Sequence, residues 1–147
     1  MIRWIGIFLI VSAFTAFGFY KAAALKSRHK RLKDICLFIE SLSDKIRIGE
    51  GMKSIINQNG SAAGIIEEGY NFVVLPHGLK ESDIRLAEDF VQRLGMGDTE
   101  TELKRCETFK ELFKKELYNA ETELKEKGRL YGKLGIFFGL LVGIVLI

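Results

Sequence analysis

Histidine and cysteine are scarce in this chain, with two of each among 147 residues. His29 and His77 have no ligand-like spacing to each other or to Cys36 and Cys106, which excludes the usual zinc arrangements. Both cysteines fall at apolar positions of helical patterns. There a free thiol in a reducing cytosol behaves as a small hydrophobe; a single disulfide is the alternative. Catalytic signatures are missing too. No G-x-x-x-x-G-K-S/T phosphate loop occurs, nor G-x-S-x-G, H-E-x-x-H or C-x-x-C. The carboxylates Glu40, Asp44, Glu67, Glu68, Glu111, Glu121, Glu123 and Glu126 sit at mostly polar helical positions, the pattern of a solvated face. The expectation is a non-enzymatic protein with no cofactor and no metal.

Acidic residues are absent from the first 33 positions, which carry seven Lys/Arg. The remainder holds 15 basic and 19 acidic groups, so the net charge of +3 comes from one short basic stretch. That distribution does not describe a nucleic-acid-binding face, and no nucleic-acid partner is expected. A basic collar at Lys26, Arg28, Lys30, Arg31 and Lys33 suits anionic lipid headgroups.

Charge is also missing from two apolar segments at the ends of the chain. Trp4–Tyr20 is uncharged over 17 residues, about 25 Å as a helix. Arg3 and Lys21 can snorkel from its ends, and Trp4 and Tyr20 suit the headgroup level. A cleaved signal peptide, favoured by Ala22-Ala23-Ala24, is opposed by the placement of six basic residues after the apolar run. Leu134–Ile147 is only 14 residues, but extension back to Leu130 gives about 27 Å with Lys133 as its single charge. Neither apolar run, Trp4–Tyr20 nor Leu134–Ile147, contains a charged residue, which argues against an ion path built by this chain alone. Gly135, Gly139 and Gly143 recur every fourth residue, a bare face suited to close helix packing; Gly128 and Gly132 extend it upstream. Lys and Arg crowd the loop side of both segments. The positive-inside rule then places the domain in the cytoplasm and both termini outside.

Between the spans, Leu32, Ile35, Cys36, Ile39, Leu42 and Ile46 follow three-and-four spacing, an amphipathic helix that continues the first span and stops by Gly49. Met52–Gln58 reads as a short helix ended by Asn59-Gly60. Ala62, Ile65 and Ile66 suggest another, ending near Gly69. Residues 71–75 have strand-like content but no visible partner strand, so they read as helix or buried loop. The single proline, Pro76, biases Leu75 towards an extended backbone. Ser82 is a candidate N-cap for a helix bearing Ile84, Leu86, Ala87, Phe90, Val91 and Leu94. Arg85 and Arg93 fall on its exposed side as candidates for partner contact. Leu94, Gly95, Gly97 and Asp98 form a two-glycine corner. Asp98 or Thr99 begins the last helix, and Thr99-x-x-Glu102 matches a capping box. From there Leu103, Cys106, Lys110, Phe113, Leu117, Ala120, Leu124, Lys127 and Tyr131 form a heptad-like stripe, for internal packing or a coiled-coil dimer. The expected fold is all-α: an antiparallel helical bundle at 26–129, flanked by transmembrane helices at 1–25 and 130–147.

The order of these features resembles the stage III sporulation protein AB family of endospore-forming bacteria over essentially the full length. Ile46-Arg47-Ile48-Gly49 stands where the family has an Ile-x-Tyr-Gly-like turn, and Leu94–Asp98 looks like its Leu-Gly-x-Ser-Asp corner. Tyr131-Gly132-Lys133-Leu134-Gly135 and the Gly-punctuated tail look like its C-terminus. Ile48, Gly97 and Glu102 depart from the pattern, where the family has an aromatic, Ser and usually Gln. The resemblance implies a helical domain similar to the cytoplasmic domains of type II secretion platform proteins. It also implies a scaffold role in the complex linking mother cell and forespore, on the mother-cell side. The partners implied are a secretion-type cytoplasmic ATPase and other small membrane subunits. A holin-like pore-former and a generic membrane-anchored adaptor are the alternative functions.

Overall fold

The unbroken run of helix-compatible residues from the N-terminus to the first glycine pair produces one long helix, α1 (Ile2–Arg47). It ends in a Schellman motif: Gly49 adopts φ +80°, its N–H donates to the Ile46 carbonyl at 3.1 Å, and Glu50 N–H donates to that of Lys45 at 3.1 Å. There follow α2 (Met52–Ala63), the strands β1 (Ile65–Glu68) and β2 (Asn71–Val74), then α3 (Glu81–Gln92) and α4 (Thr99–Val145). The computed structural model describes residues 2–68 and 71–145, without the side chains of 2–5, 7, 10, 132, 143 and 145.

The chain divides into two compact units: residues 1–27 with 120–147, and Arg28–Asn119. The core of the second is built as the helical spacing requires. Leu32, Ile35, Ile39 and Leu42 of α1 are fully buried, as is Phe113 of α4. Phe90 of α3 meets Phe109 of α4 with ring centroids 5.1 Å apart at 49°, a tilted aromatic pair. The α4 stripe packs internally within this unit, with Cys106 and Phe113 buried. Its charged member Lys110 reaches Glu40 of α1 at 2.6 Å.

Three expectations need correction. The fold is mostly helical but not all-α, because residues 71–75 do have a strand partner. β1 pairs antiparallel with β2 in the register Ile65↔Val74 to Glu68↔Asn71. The partner was hidden because Ile65 and Ile66 continue the apolar spacing of the helix before them. Second, α2 does not stop at Asn59-Gly60 but runs to Ala63, where Gly64 ends it at φ +72°. Gly60 lies inside the helix because a Cβ there would stand 2.5 Å from the Ile65 carbonyl oxygen, so the hairpin needs the bare backbone. Third, Ser82 is not the cap of α3. Lys80 is the N-cap, and Asp83 at the third helical position accepts its N–H at 3.1 Å.

Within the first unit α1 and α4 lie antiparallel and touch through backbone. Among the described residues no helix is long and apolar enough to cross a membrane. The side chains of Trp4, Ile5, Ile7 and Ile10, together with those of Val145, Leu146 and Ile147, fall outside those residues.

Candidate functional site

Buried ion pairs hold the helices of the Arg28–Asn119 unit together. Arg28 of α1 is 5% exposed and Asp83 of α3 is 0% exposed. The guanidinium grips the carboxylate with two bonds, Nε to Oδ2 at 2.7 Å and Nη2 to Oδ1 at 2.9 Å. Nη2 also donates to Glu116 Oε2 of α4 at 3.1 Å, so one side chain joins three helices. Burial by itself would raise the Asp83 carboxyl, but the hydrogen bonds from Arg28 and from the Lys80 N–H together hold it below the usual carboxylate range. Arg28 is therefore not available to lipid headgroups as the basic collar was expected to be. Arg31 is half-buried and donates to the Ala62 carbonyl at 3.1 Å, with its guanidinium over Gly64. Lys26, Lys30 and Lys33 remain exposed. Sequence spacing could not find this cluster, since Arg28 lies 55 positions from Asp83 and 88 from Glu116.

The two-glycine corner is ordered by a second charge network. Leu94 is buried, Gly95 takes φ +79°, and Met96 projects with 78% exposure. Asp98 is the residue before α4, and the Thr101 hydroxyl and N–H hold its carboxyl below the usual range. The cap is thus Asp98. Glu102 reaches past Thr99 to accept the Gly97 N–H at 3.0 Å, so the box proposed for Thr99 and Glu102 is shifted by two residues at its front end. A Cβ at Gly97 would stand 2.9 Å from Thr101 Cγ2, which explains the glycine. Glu102 is 4% exposed and takes Arg105 Nη1 at 2.5 Å. That same nitrogen donates to the Arg93 carbonyl at the end of α3, so one guanidinium ties the exit of α3 to the first turns of α4. Arg85 and Arg93 are exposed as expected. Each side chain leans on the acid one turn back, Arg85 on Glu81 at 3.3 Å and Arg93 on Asp89 at 2.7 Å.

In the other unit, the glycine face meets α1 of the same chain. A Cβ at Gly135 would lie 3.0 Å from the Phe14 carbonyl oxygen and 3.3 Å from Gly18 Cα. One at Gly139 would meet Val11 Cγ1 and the Val11 carbonyl oxygen at 3.3 Å. Gly18, absent from the sequence-based set, is the tightest position, with the Tyr131 carbonyl oxygen 2.6 Å from its would-be Cβ. The surroundings of Gly143 lie outside the described residues. Gly128 would touch only Leu124 of its own helix and takes no part in the contact.

Cys36 and Cys106 are free and buried. Burial raises both thiols, Cys106 to about 11, with nearby Glu40 and Glu102 respectively adding to the effect. Among the described residues no group of three His, Cys, Asp or Glu side chains is placed to hold a metal ion.

The family model for stage III sporulation protein AB matches residues 3–52 and 50–147. The chain belongs to the stage III sporulation protein AB family and is a stage III sporulation protein. No match is found among curated proteins or among solved structures.

Proposed function

We propose that this protein is a non-enzymatic membrane platform subunit of a secretion-like complex that joins mother cell and forespore. Its Arg28–Asn119 unit docks a secretion-type cytoplasmic ATPase and couples it to other small membrane subunits. Family membership over the whole chain carries the reading.

The membrane part rests on the paired ends. Phe8, Phe17 and Phe19 of α1 and Phe137, Leu140 and Ile144 of α4 are all more than half exposed. An outward apolar surface of that kind on a two-helix hairpin is unfavourable in water and natural in lipid. The backbone contacts at Gly18 and Gly135 are the close approach that lipid-embedded helices favour. The exposed Lys26, Lys30 and Lys33 then meet headgroups, the second unit faces the mother-cell cytoplasm, and the termini lie outside.

Arg85 and Arg93 are the contact residues of this reading. Charge reversal of both to Glu leaves the melting temperature nearly unchanged, since exposed i,i+4 pairs contribute little. It weakens retention of the cognate ATPase in a pull-down with the full-length protein. Unchanged retention moves the interface away from α3. Cysteine labelling from outside intact cells, in a Cys36→Ser and Cys106→Ser background, tests the topology. Ser61→Cys stays protected and a cysteine added near Ile147 is labelled; the reverse pattern overturns the cytoplasmic domain and the ATPase contact with it.

A further inference from the structure

One groove of the Arg28–Asn119 unit is walled by α1 and α4 alone. It measures about 360 Å³, with Glu40, Asp44 and Arg47 on the α1 bank and Glu107 and Lys110 on the α4 bank. No residue of α2, the hairpin or α3 lines it. Carried on by one turn, each bank is a stripe of three-and-four spacing: Leu37, Glu40, Asp44 and Arg47 on α1, and Glu107, Lys110, Lys114 and Leu117 on α4. The charges of Lys110 and Lys114 both act on Cys36 and Glu40, which puts Lys114 on the side of α4 that looks towards α1. Across the groove Lys110 reaches Glu40 at 2.6 Å. Among the described residues Arg47 and Glu107 have no ion pair or hydrogen bond and Asp44 has no ion pair, whereas Lys114 leans on Glu111 of its own helix at 3.4 Å. Leu37 is 53% exposed.

From Arg47 back to Leu37 the α1 stripe runs positive, negative, negative, apolar. From Glu107 to Leu117 the α4 stripe runs negative, positive, positive, apolar, so the two are complementary at all four positions. We propose that a second copy of this chain packs on this face about a two-fold axis parallel to the helices, α1 of each copy against α4 of the other. Arg47 then meets Glu107 of the second copy, Asp44 its Lys110, Glu40 its Lys114 and Leu37 its Leu117. The Glu40–Lys110 contact sets the relative height of α1 and α4. Each of the four pairs is therefore offset by the same four residues, about 6 Å, a diagonal that long side chains span. A two-fold axis across the helices is excluded, because it lays α1 antiparallel on α1 and α4 on α4. Asp44 would then face Glu40 of the second copy and Lys110 its Lys114, and like charges so opposed repel. A single foreign helix that complements one bank carries the charges of the other bank and is repelled by it, whereas this chain supplies both complements. The parallel axis also leaves the N-terminal ends of both α1 helices at one end, as two copies in one bilayer require. This contact goes beyond the platform reading and does not depend on it.

The test uses the full-length protein in phosphatidylglycerol vesicles with no ATPase present, in a Cys36→Ser and Cys106→Ser background. One tagged copy carries Leu37→Cys and a differently tagged copy carries Leu117→Cys, so that any product joining the tags is a contact between chains. A short bismaleimide joins the two tags, while Leu37→Cys copies alone do not join to each other. Arg47→Glu or Glu107→Arg, introduced into both copies, lowers the cross-linked fraction about tenfold with helix content unchanged by circular dichroism. The two reversals together restore it, because the pair between copies is rebuilt with its signs exchanged. Three results each overturn the proposal: no product joining the tags, Leu37→Cys joined to itself as readily as to Leu117→Cys, or cross-linking that the single reversals leave unchanged or the double reversal fails to restore.

Discussion

Arg28 and Asp83, 55 residues apart in sequence, form a two-bond ion pair from which water is almost entirely excluded. Removal of one partner strands the other charge, which costs about 3–5 kcal/mol in such settings. Arg28→Met and Asp83→Leu should each destabilise the protein strongly in thermal melts, whereas the double substitution should recover a large part of the loss. Equal destabilisation by the double and the worse single variant would show that packing, not charge pairing, holds the site.

The same pair sets an acid dependence. Because the folded-state pKa of Asp83 lies below its unfolded value, its contribution is present in full above the ordinary carboxyl range and is lost as pH falls towards the depressed value. Asp83→Asn should therefore be less stable at neutral pH and show a flatter acid limb in denaturation curves measured between neutrality and pH 3. A limb as steep as that of the native protein would assign acid sensitivity to other carboxylates.

Gly60→Ala places two effects in opposition. Helix propensity favours alanine by about 1 kcal/mol in a helix interior. The added Cβ, however, would stand 2.5 Å from a backbone oxygen that cannot rotate away. The clash should win, lowering the midpoint of chemical denaturation; a raised midpoint would mean that the hairpin shifts at little cost.

In the glycine-packed unit, Gly18→Leu and Gly139→Leu retain apolar character but force the helices apart. Overpacking of well-packed sites typically costs about 1–3 kcal/mol. Gly18 should be the more sensitive, since its clearance of 2.6 Å is against backbone, compared with 3.3 Å at Gly139. Gly128→Leu, which meets no other helix, is the control, and the shift in melting temperature is the readout for all three.

Cys106 tests the alkaline side. With its folded pKa pushed up to about 11, the buried thiol contributes stability that is complete below the ordinary thiol range and is lost as pH rises towards 11. Cys106→Ala should be less stable at pH 7 and lose less on the way to pH 10.5. Both cysteines should resist iodoacetamide at pH 7 until the protein is denatured.

Local chemistry alone determined the long helices, their buried faces and most of their ends. The three-and-four spacing from Leu32 to Ile46 is cooperative over several turns, and every one of those residues is buried. Gly49 and Gly95 end or follow helices in left-handed conformations that a sequence can announce, whereas the end of α2 lies at Gly64, not at the expected Asn59-Gly60. The hairpin was not legible, because a strand is defined by its partner and Ile65 fits either a helical or an extended reading. Nor was the role of Arg28, which by composition belongs to a basic surface stretch. Only the tertiary fold brings Asp83 and Glu116 to it across more than fifty residues, where low solvent access makes pairing decisive. In the same way the sequence displayed Gly135 and Gly139 as a bare face, but their partner, the backbone from Val11 to Gly18, was chosen by the antiparallel return of α4. Periodicity specifies which side of an element is buried; what it is buried against is decided by the other elements, because contact free energy depends on pairs of surfaces rather than on one.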